Sequence, residues 1–105
     1  MNGFKLGGSN KQCPTPHVVT NCIAFNNGAT GFTDNGNGGA VTLTNCTSVN
    51  NGMYNAAKAN YMCYRTSKDA AYTNLLSFAE KKTTATDQFL GTVSHTLSVS
   101  YTHLT

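Results

Sequence analysis

The chain has 105 residues and a mass of 11.1 kDa, room for one small domain, yet only 10% of it is charged against about 25% in an ordinary soluble domain, which excludes a helical bundle. Asparagine supplies 13 residues and glycine 10, with 2 prolines and no tryptophan, so the composition favours turns and strands; the 39% of hydrophobic residues fall in short clusters, which argues against disorder. The formal charge of +3 comes from Lys5, Lys11, Lys58, Arg65, Lys68, Lys81 and Lys82, scattered without a run, which disfavours nucleic acid and leaves an acidic polysaccharide permissible.

In chain order, Met1–Gly8 (MNGFKLGG) offers neither the basic start nor the apolar segment of a secretory signal. The longest apolar stretches, such as Cys22–Phe25, fall far below the roughly 20 residues of a membrane span, so none is expected. Thr20–Gly28 (TNCIAFNNG) then returns as Thr44–Gly52 (TNCTSVNNG), a period of 24 residues. Thr73–Phe78 (TNLLSF) is a looser third copy, displaced by 29 residues and lacking the Asn-Asn-Gly ending, which implies a longer loop before it.

A repeat of this length, made of short strands and Asn/Gly turns, predicts an all-β parallel β-helix of about three to four coils, stacked at about 4.8 Å. Equivalent residues then form ladders. Asn21, Asn45 and Asn74 stack as a structural asparagine ladder, a scaffold and not a site. Cys22, Cys46 and Leu75 form a second ladder, Ala24, Ser48 and Ser77 a third, and Phe25, Val49 and Phe78 a fourth. Which of these face inward is left open by the sequence. The dense leucines of a leucine-rich repeat and the 3.6 periodicity of helical repeats are both missing. Asn55–Met62, as a helical turn or loop, and Lys81–Gln88 read as excursions from the coils.

Four cysteines, Cys13, Cys22, Cys46 and Cys63, permit three disulfide pairings. Cys22 and Cys46 occupy matching repeat positions and are expected as buried free thiols. Cys13, His17 and Cys22 lack the paired short spacing of a zinc site, and His17 is expected to pack or hydrogen-bond at the start of a coil. Asp34, Asp69, Glu80 and Asp87 are too dispersed to give calcium its six to eight oxygens, so no metal site is expected within the chain.

Asn2–Gly8 (NGFKLGG), followed by His17–Gly28, Gly31-Phe32 and Val41–Gly52, closely resembles the family-nine polysaccharide lyases, which are right-handed parallel β-helix enzymes. The resemblance runs from residue 2 to about residue 79. It implies that Lys5, the lysine of the GFKLGG stretch, is the catalytic base. It also implies a calcium-dependent enzyme that cleaves pectate by β-elimination, with calcium on the substrate carboxylate stabilising the charge that develops as the C5 proton leaves. An amine serves as that base when neutral, a state that nearby cations favour.

Gly7 and Gly8 suit either a bound polymer or a tight turn. Arg65 and Lys68 are candidate partners for substrate carboxylates, with solvated loop charges as the plainer reading. Tyr54, Tyr61 and Tyr64 are candidates for stacking on sugar rings, packing in core or turn being the plainer reading.

The family's calcium-binding aspartates lie upstream of the lysine motif, and this chain starts at that motif. It is therefore expected to be a C-terminal-side fragment that carries the base without the calcium ligands and is inactive in isolation. Two alternatives remain open: a rhamnogalacturonan lyase of the same family, and a non-catalytic β-helix that binds carbohydrate or another surface. The implied partner is an acidic plant polysaccharide, the implied location secreted or periplasmic, and the full-length protein is expected to be a monomer. Val99–Thr105 (VSYTHLT) resembles the translation of a transposon-type sequencing adapter, so residues 1–98 are expected as a partial β-helix and 99–105 as a non-native tail.

Overall fold

Three short strands recur along the chain in a fixed order, and each pairs in parallel with its counterpart one repeat later. The computed structural model describes residues 1–8, 14–53, 57–80 and 86–100. The first rung holds β1 (Phe4–Lys5), β2 (Val18–Thr20) and β3 (Ile23–Phe25); the second β4 (Phe32–Thr33), β5 (Thr42–Thr44) and β6 (Thr47–Val49). The third holds β7 (Tyr61–Cys63), β8 (Ala71–Thr73) and β9 (Leu76–Ala79), and the fourth β10 (Gln88–Phe89), β11 (Thr92–Ser94) and β12 (Leu97–Ser100). Three parallel sheets result, β1-β4-β7-β10, β2-β5-β8-β11 and β3-β6-β9-β12. This is the expected all-β parallel solenoid, and the described residues contain no helix.

Sharp corners make the coil possible. Between the second and third strands of each rung the chain turns on one residue in the left-handed region: Asn21 (φ 57°), Asn45 (55°), Asn74 (55°) and His95 (53°). Asparagine tolerates that region better than other residues with a Cβ, because its short polar side chain bonds locally. Asn74 Nδ2 donates to Asn45 Oδ1 at 3.0 Å on the exposed side of this column. His95 fills the corner of a fourth rung that the sequence repeat does not announce, since Ser94-His95 replaces the Thr-Asn pair on which the motif rests.

Register settles which ladders point inward. Ala24 pairs with Ser48 and Ser48 with Ser77, all three buried, whereas their neighbours Ile23 and Phe25 are 63% exposed. Cys46 and Leu75 are buried and Cys22 is partly so. The largest fully buried side chains all belong to the second and third rungs, the two with neighbours on both sides, as a core built only from stacking requires. Phe4, Phe32 and Tyr61 stack ring on ring with centroids 4.7 and 5.2 Å apart. The Tyr61 hydroxyl lies 3.0 Å from both the Cys46 and the Leu76 carbonyl oxygen, so its donor is satisfied inside the core.

A second asparagine system lies within the coil. The first asparagine of each Asn-Asn-Gly, Asn26 or Asn50, takes another left-handed corner, and the second, Asn27 or Asn51, turns its amide to the interior. Asn51 Nδ2 donates to Ala24 O at 2.9 Å and to Ser48 Oγ at 2.8 Å, while Asn60 Nδ2 reaches Ser77 Oγ and Phe78 O, each at 3.0 Å. No described buried side-chain nitrogen or oxygen is left without a partner.

The extra length of the 29-residue displacement falls between β6 and β7, residues 50–60, against 26–31 between β3 and β4. Two expectations need correction at their ends. Tyr61 and Met62, placed in an excursion, belong to β7, and Gln88 begins β10, because both pair with the sheet whose strands are only two or three residues long and too short to show a period. Residues 54–56 and 81–85 of those segments, with Tyr54, lie outside the described residues, as does Cys13. Val99 and Ser100 pair with Phe78 and Ala79 in β12, and residues 101–105 lie outside the described residues.

Candidate active site

Alternation along the first strand decides where Lys5 points. Phe4 and Leu6 are held by backbone bonds to the second rung, Phe4 N to Gly31 O at 2.7 Å and Leu6 N to Thr33 O at 2.9 Å, and both side chains pack on the core. Lys5 lies between them and therefore projects outward, exposed, on the outer face of the sheet β1-β4-β7-β10. Its row continues through Thr33, Met62 and Gln88 by register.

The glycines around it are required by stacking. A Cβ on Gly3 would lie 2.8 Å from both Ala24 Cβ and Gly31 O, and one on Gly7 would meet the Asp34 carbonyl oxygen and lie 2.9 Å from Asn37 Cβ. Close stacking on the second rung therefore accounts for Gly7. Gly3–Gly7 thus reads residue by residue as a close approach, a core ring, an outward amine, a core leucine and a second close approach.

Arg65 follows β7, two rungs from Lys5. Its backbone N–H donates to Asp34 Oδ2, its Nε lies 3.7 Å from Asp34 Oδ1, and its guanidinium carbon stands 4.9 Å from the centre of the Tyr64 ring. Asp34 is fully buried, whereas the Arg65 side chain is 42% exposed. Lys68 sits exposed in the turn closed by the Ala70 N–H bond to Ser67 O, and no hydrogen bond or ion pair joins Lys5 to Arg65 or Lys68. Tyr61 is a core residue. Tyr64 is 44% exposed and lies beneath Arg65.

Asp34 is the residue whose part the sequence did not reveal, where it stood only among dispersed acids. The signal was the Asp34-Asn35-Gly36 turn, in which Asn35 (φ 48°) and Gly36 (φ 84°) are left-handed and Gly36 N donates to Asp34 Oδ1 at 3.3 Å.

Calcium does not fit the described residues. Among them no three His, Cys, Asp or Glu side chains come together. Asp34 is committed to Arg65 and Gly36, and Asp87 Oδ1 accepts the Tyr61 N–H at 3.1 Å. The three described cysteines, Cys22, Cys46 and Cys63, are free thiols. Burial, aided by the nearby Asp34 carboxylate, pushes the Cys63 thiol up to about 12, and burial foremost raises Cys46.

The family model described as the Pel9A-like right-handed β-helix region matches residues 1–84. The chain belongs to the Pel9A-like right-handed β-helix family. Among curated Pel9A-like relatives, pectate lyase L of Paenibacillus polymyxa (strain SC2) is 45% identical over 92 residues, covering 83% of this chain and 18% of that protein. Pectate lyase L of Thermoclostridium stercorarium is 49% identical over 59 residues, covering 56% of this chain and 4% of that protein. Pectate lyase PEL9 of Emericella nidulans is 50% identical over 52 residues, covering 48% and 13%. The chain thus spans less than a fifth of the length of these relatives. No solved structure matches it.

Proposed function

We propose that this chain is the base-bearing part of a pectate lyase, with Lys5 as the group that removes a proton from a galacturonate unit. The observation that carries the reading is the outward projection of Lys5 from a strand fixed on both sides by core residues, within the segment matched by the Pel9A-like model. Three relatives bear the name pectate lyase, which favours pectate as the polymer.

In the reaction the neutral amine takes the C5 proton. The electron pair of that C–H bond forms the C4–C5 double bond, and the glycosidic oxygen leaves C4 with the pair of the broken bond. The core positions of Phe4 and Leu6 fix the backbone of Lys5 and so the outward direction in which its side chain leaves the strand. Calcium, which a pectate lyase uses to stabilise charge on the substrate carboxylate, has no ligand set among the described residues, and we assign its site to parts of the longer protein outside this chain. The same reading makes the isolated chain inactive and places the whole protein outside the cytoplasm, where polymeric pectate is met.

The test is the lyase activity of the complete reading frame containing this chain, followed by ultraviolet absorbance of the unsaturated uronate product. Lys5→Ala is expected to lower turnover by about a hundredfold or more while the fold is retained, the usual scale for loss of a positioned base. A Lys5→Ala enzyme with unchanged turnover removes Lys5 from the chemistry and leaves the solenoid as a binding surface.

A further inference from the structure

We propose that Asp34 is a positioning residue that holds Arg65 edge-on, so that the guanidinium, resting on Tyr64, forms a preformed fork for a uronate carboxylate. This rests on the reading of the outer face beside Lys5 as the polymer-binding face.

The argument begins with what Asp34 needs. Its carboxylate already accepts two backbone N–H bonds, from Gly36 and from Arg65, the latter across a rung boundary. It is fully buried, and those donors go far toward meeting its demand without a side-chain cation. Arg65 nevertheless places Nε 3.7 Å from Oδ1 and its guanidinium carbon over Tyr64, 4.9 Å from the ring centre and within cation–π range. Fixing a long side chain on two sides costs rotamer entropy. Here the side chain stays 42% exposed.

Chemistry fixes what such a group takes. The Nε edge is turned to Asp34, which leaves the Nη groups free to present parallel N–H donors, a match in spacing for a carboxylate. Lysine at this place would offer a point charge without the fork. Two rungs separate Lys5 from Arg65, about 10 Å along the solenoid, a distance a short oligosaccharide spans. One carboxylated polymer can therefore lie across both.

The test titrates the isotopically labelled 105-residue chain with a short oligogalacturonate and, in parallel, with its methyl ester. The acid is expected to shift the Tyr64 ring and Arg65 Nε–H resonances and the ester to leave them in place. Arg65→Gln and Arg65→Lys are each expected to weaken binding of the acid by about tenfold or more, on the scale of a charge-assisted bond. Slow solvent exchange of the Arg65 Nε–H in the free protein, accelerated in Asp34→Asn, is the signature of positioning. Should Asp34→Asn fail to fold, rapid exchange of that proton in the unsubstituted protein overturns the role of Asp34 by itself. Tyr64→Leu, at an exposed position, is expected to weaken acid binding without loss of fold. Shifts confined to Lys5, Thr33 and Met62 overturn the Arg65 subsite and leave the reading of Lys5 standing. Oligogalacturonate that shifts neither group overturns the Arg65 subsite, and the reading of Lys5 is decided separately by the turnover of the complete enzyme.

Discussion

Asn51 and Asn27, one rung apart, share a single oxygen: Asn51 Oδ1 accepts the backbone N–H of Asn27 at 2.9 Å and its Nδ2 at 2.8 Å. The amide nitrogen of Asn51 is meanwhile spent on Ala24 O and Ser48 Oγ, so this side chain ties together two rungs from inside the coil. Replacing Asn51 with alanine strands several buried groups at once, and the expected loss of stability is about 3 kcal/mol. Chemical denaturation of Asn51→Ala beside Asn45→Ala, whose corner amide faces solvent, separates the two asparagine systems. The interior change should cost clearly more.

Gly31 and Gly28 offer a sharper comparison. A Cβ on Gly31 would collide with Ser48 Oγ and lie 2.7 Å from Asn60 O, whereas one on Gly28 would find nothing nearer than Met1 N at 3.7 Å. Gly31→Ala is therefore expected to lower the melting temperature sharply, by a cost of about 2 kcal/mol or more, and Gly28→Ala to stay within about 0.5 kcal/mol of the starting protein. Equal effects of the two substitutions would mean that the rungs stack less closely at residue 31 than the structure has them.

Stability should fall on the alkaline side. The Cys63 thiol is raised from an ordinary value of 9.0 to about 12 by burial and then by Asp34. The hydroxyls of Tyr61 and Tyr72 are raised above their ordinary 10.0, burial again being the largest cause. A group whose pKa is higher in the folded state holds its proton more tightly there, so its contribution is complete below the unfolded value and is lost as pH rises toward the folded one. For Cys63 the window runs from 9.0 to about 12. Thermal unfolding followed from neutral pH to about pH 11 should show a falling melting temperature, and Cys63→Val should flatten part of the slope. A melting temperature flat across that range contradicts the buried placement of these groups.

Thiol accessibility follows the ladder. Cys22 is partly exposed in the first rung, whereas Cys46 and Cys63 are 1% and 0% exposed. In a Cys13→Ser background one thiol, that of Cys22, should react promptly with a disulfide reagent, and the other two only on unfolding. Prompt reaction of all three would place Cys46 and Cys63 outside the core.

The architecture was legible in the sequence because a solenoid writes its period into the chain: Asn21 and Asn45 must each take a left-handed corner, and asparagine is the residue with a Cβ best suited to it. Lys5 was singled out only by the resemblance carried by Gly3–Gly8; its outward direction between the core residues Phe4 and Leu6 came from the structure. The corner at His95 was hidden because histidine takes it in place of asparagine, and β7 and β10 because strands of two or three residues show no period.

Tertiary structure alone decided the direction of the ladders and the part played by Asp34. Whether Ala24, Ser48 and Ser77 face the core depends on which side of a three-sided coil they meet, and alternation along one strand is the same for either side. Asp34 and Arg65 lie 31 residues apart in sequence, a separation that carries no local pattern. Only the stacking of one rung on the next turns a dispersed acid into the buried anchor of an exposed guanidinium.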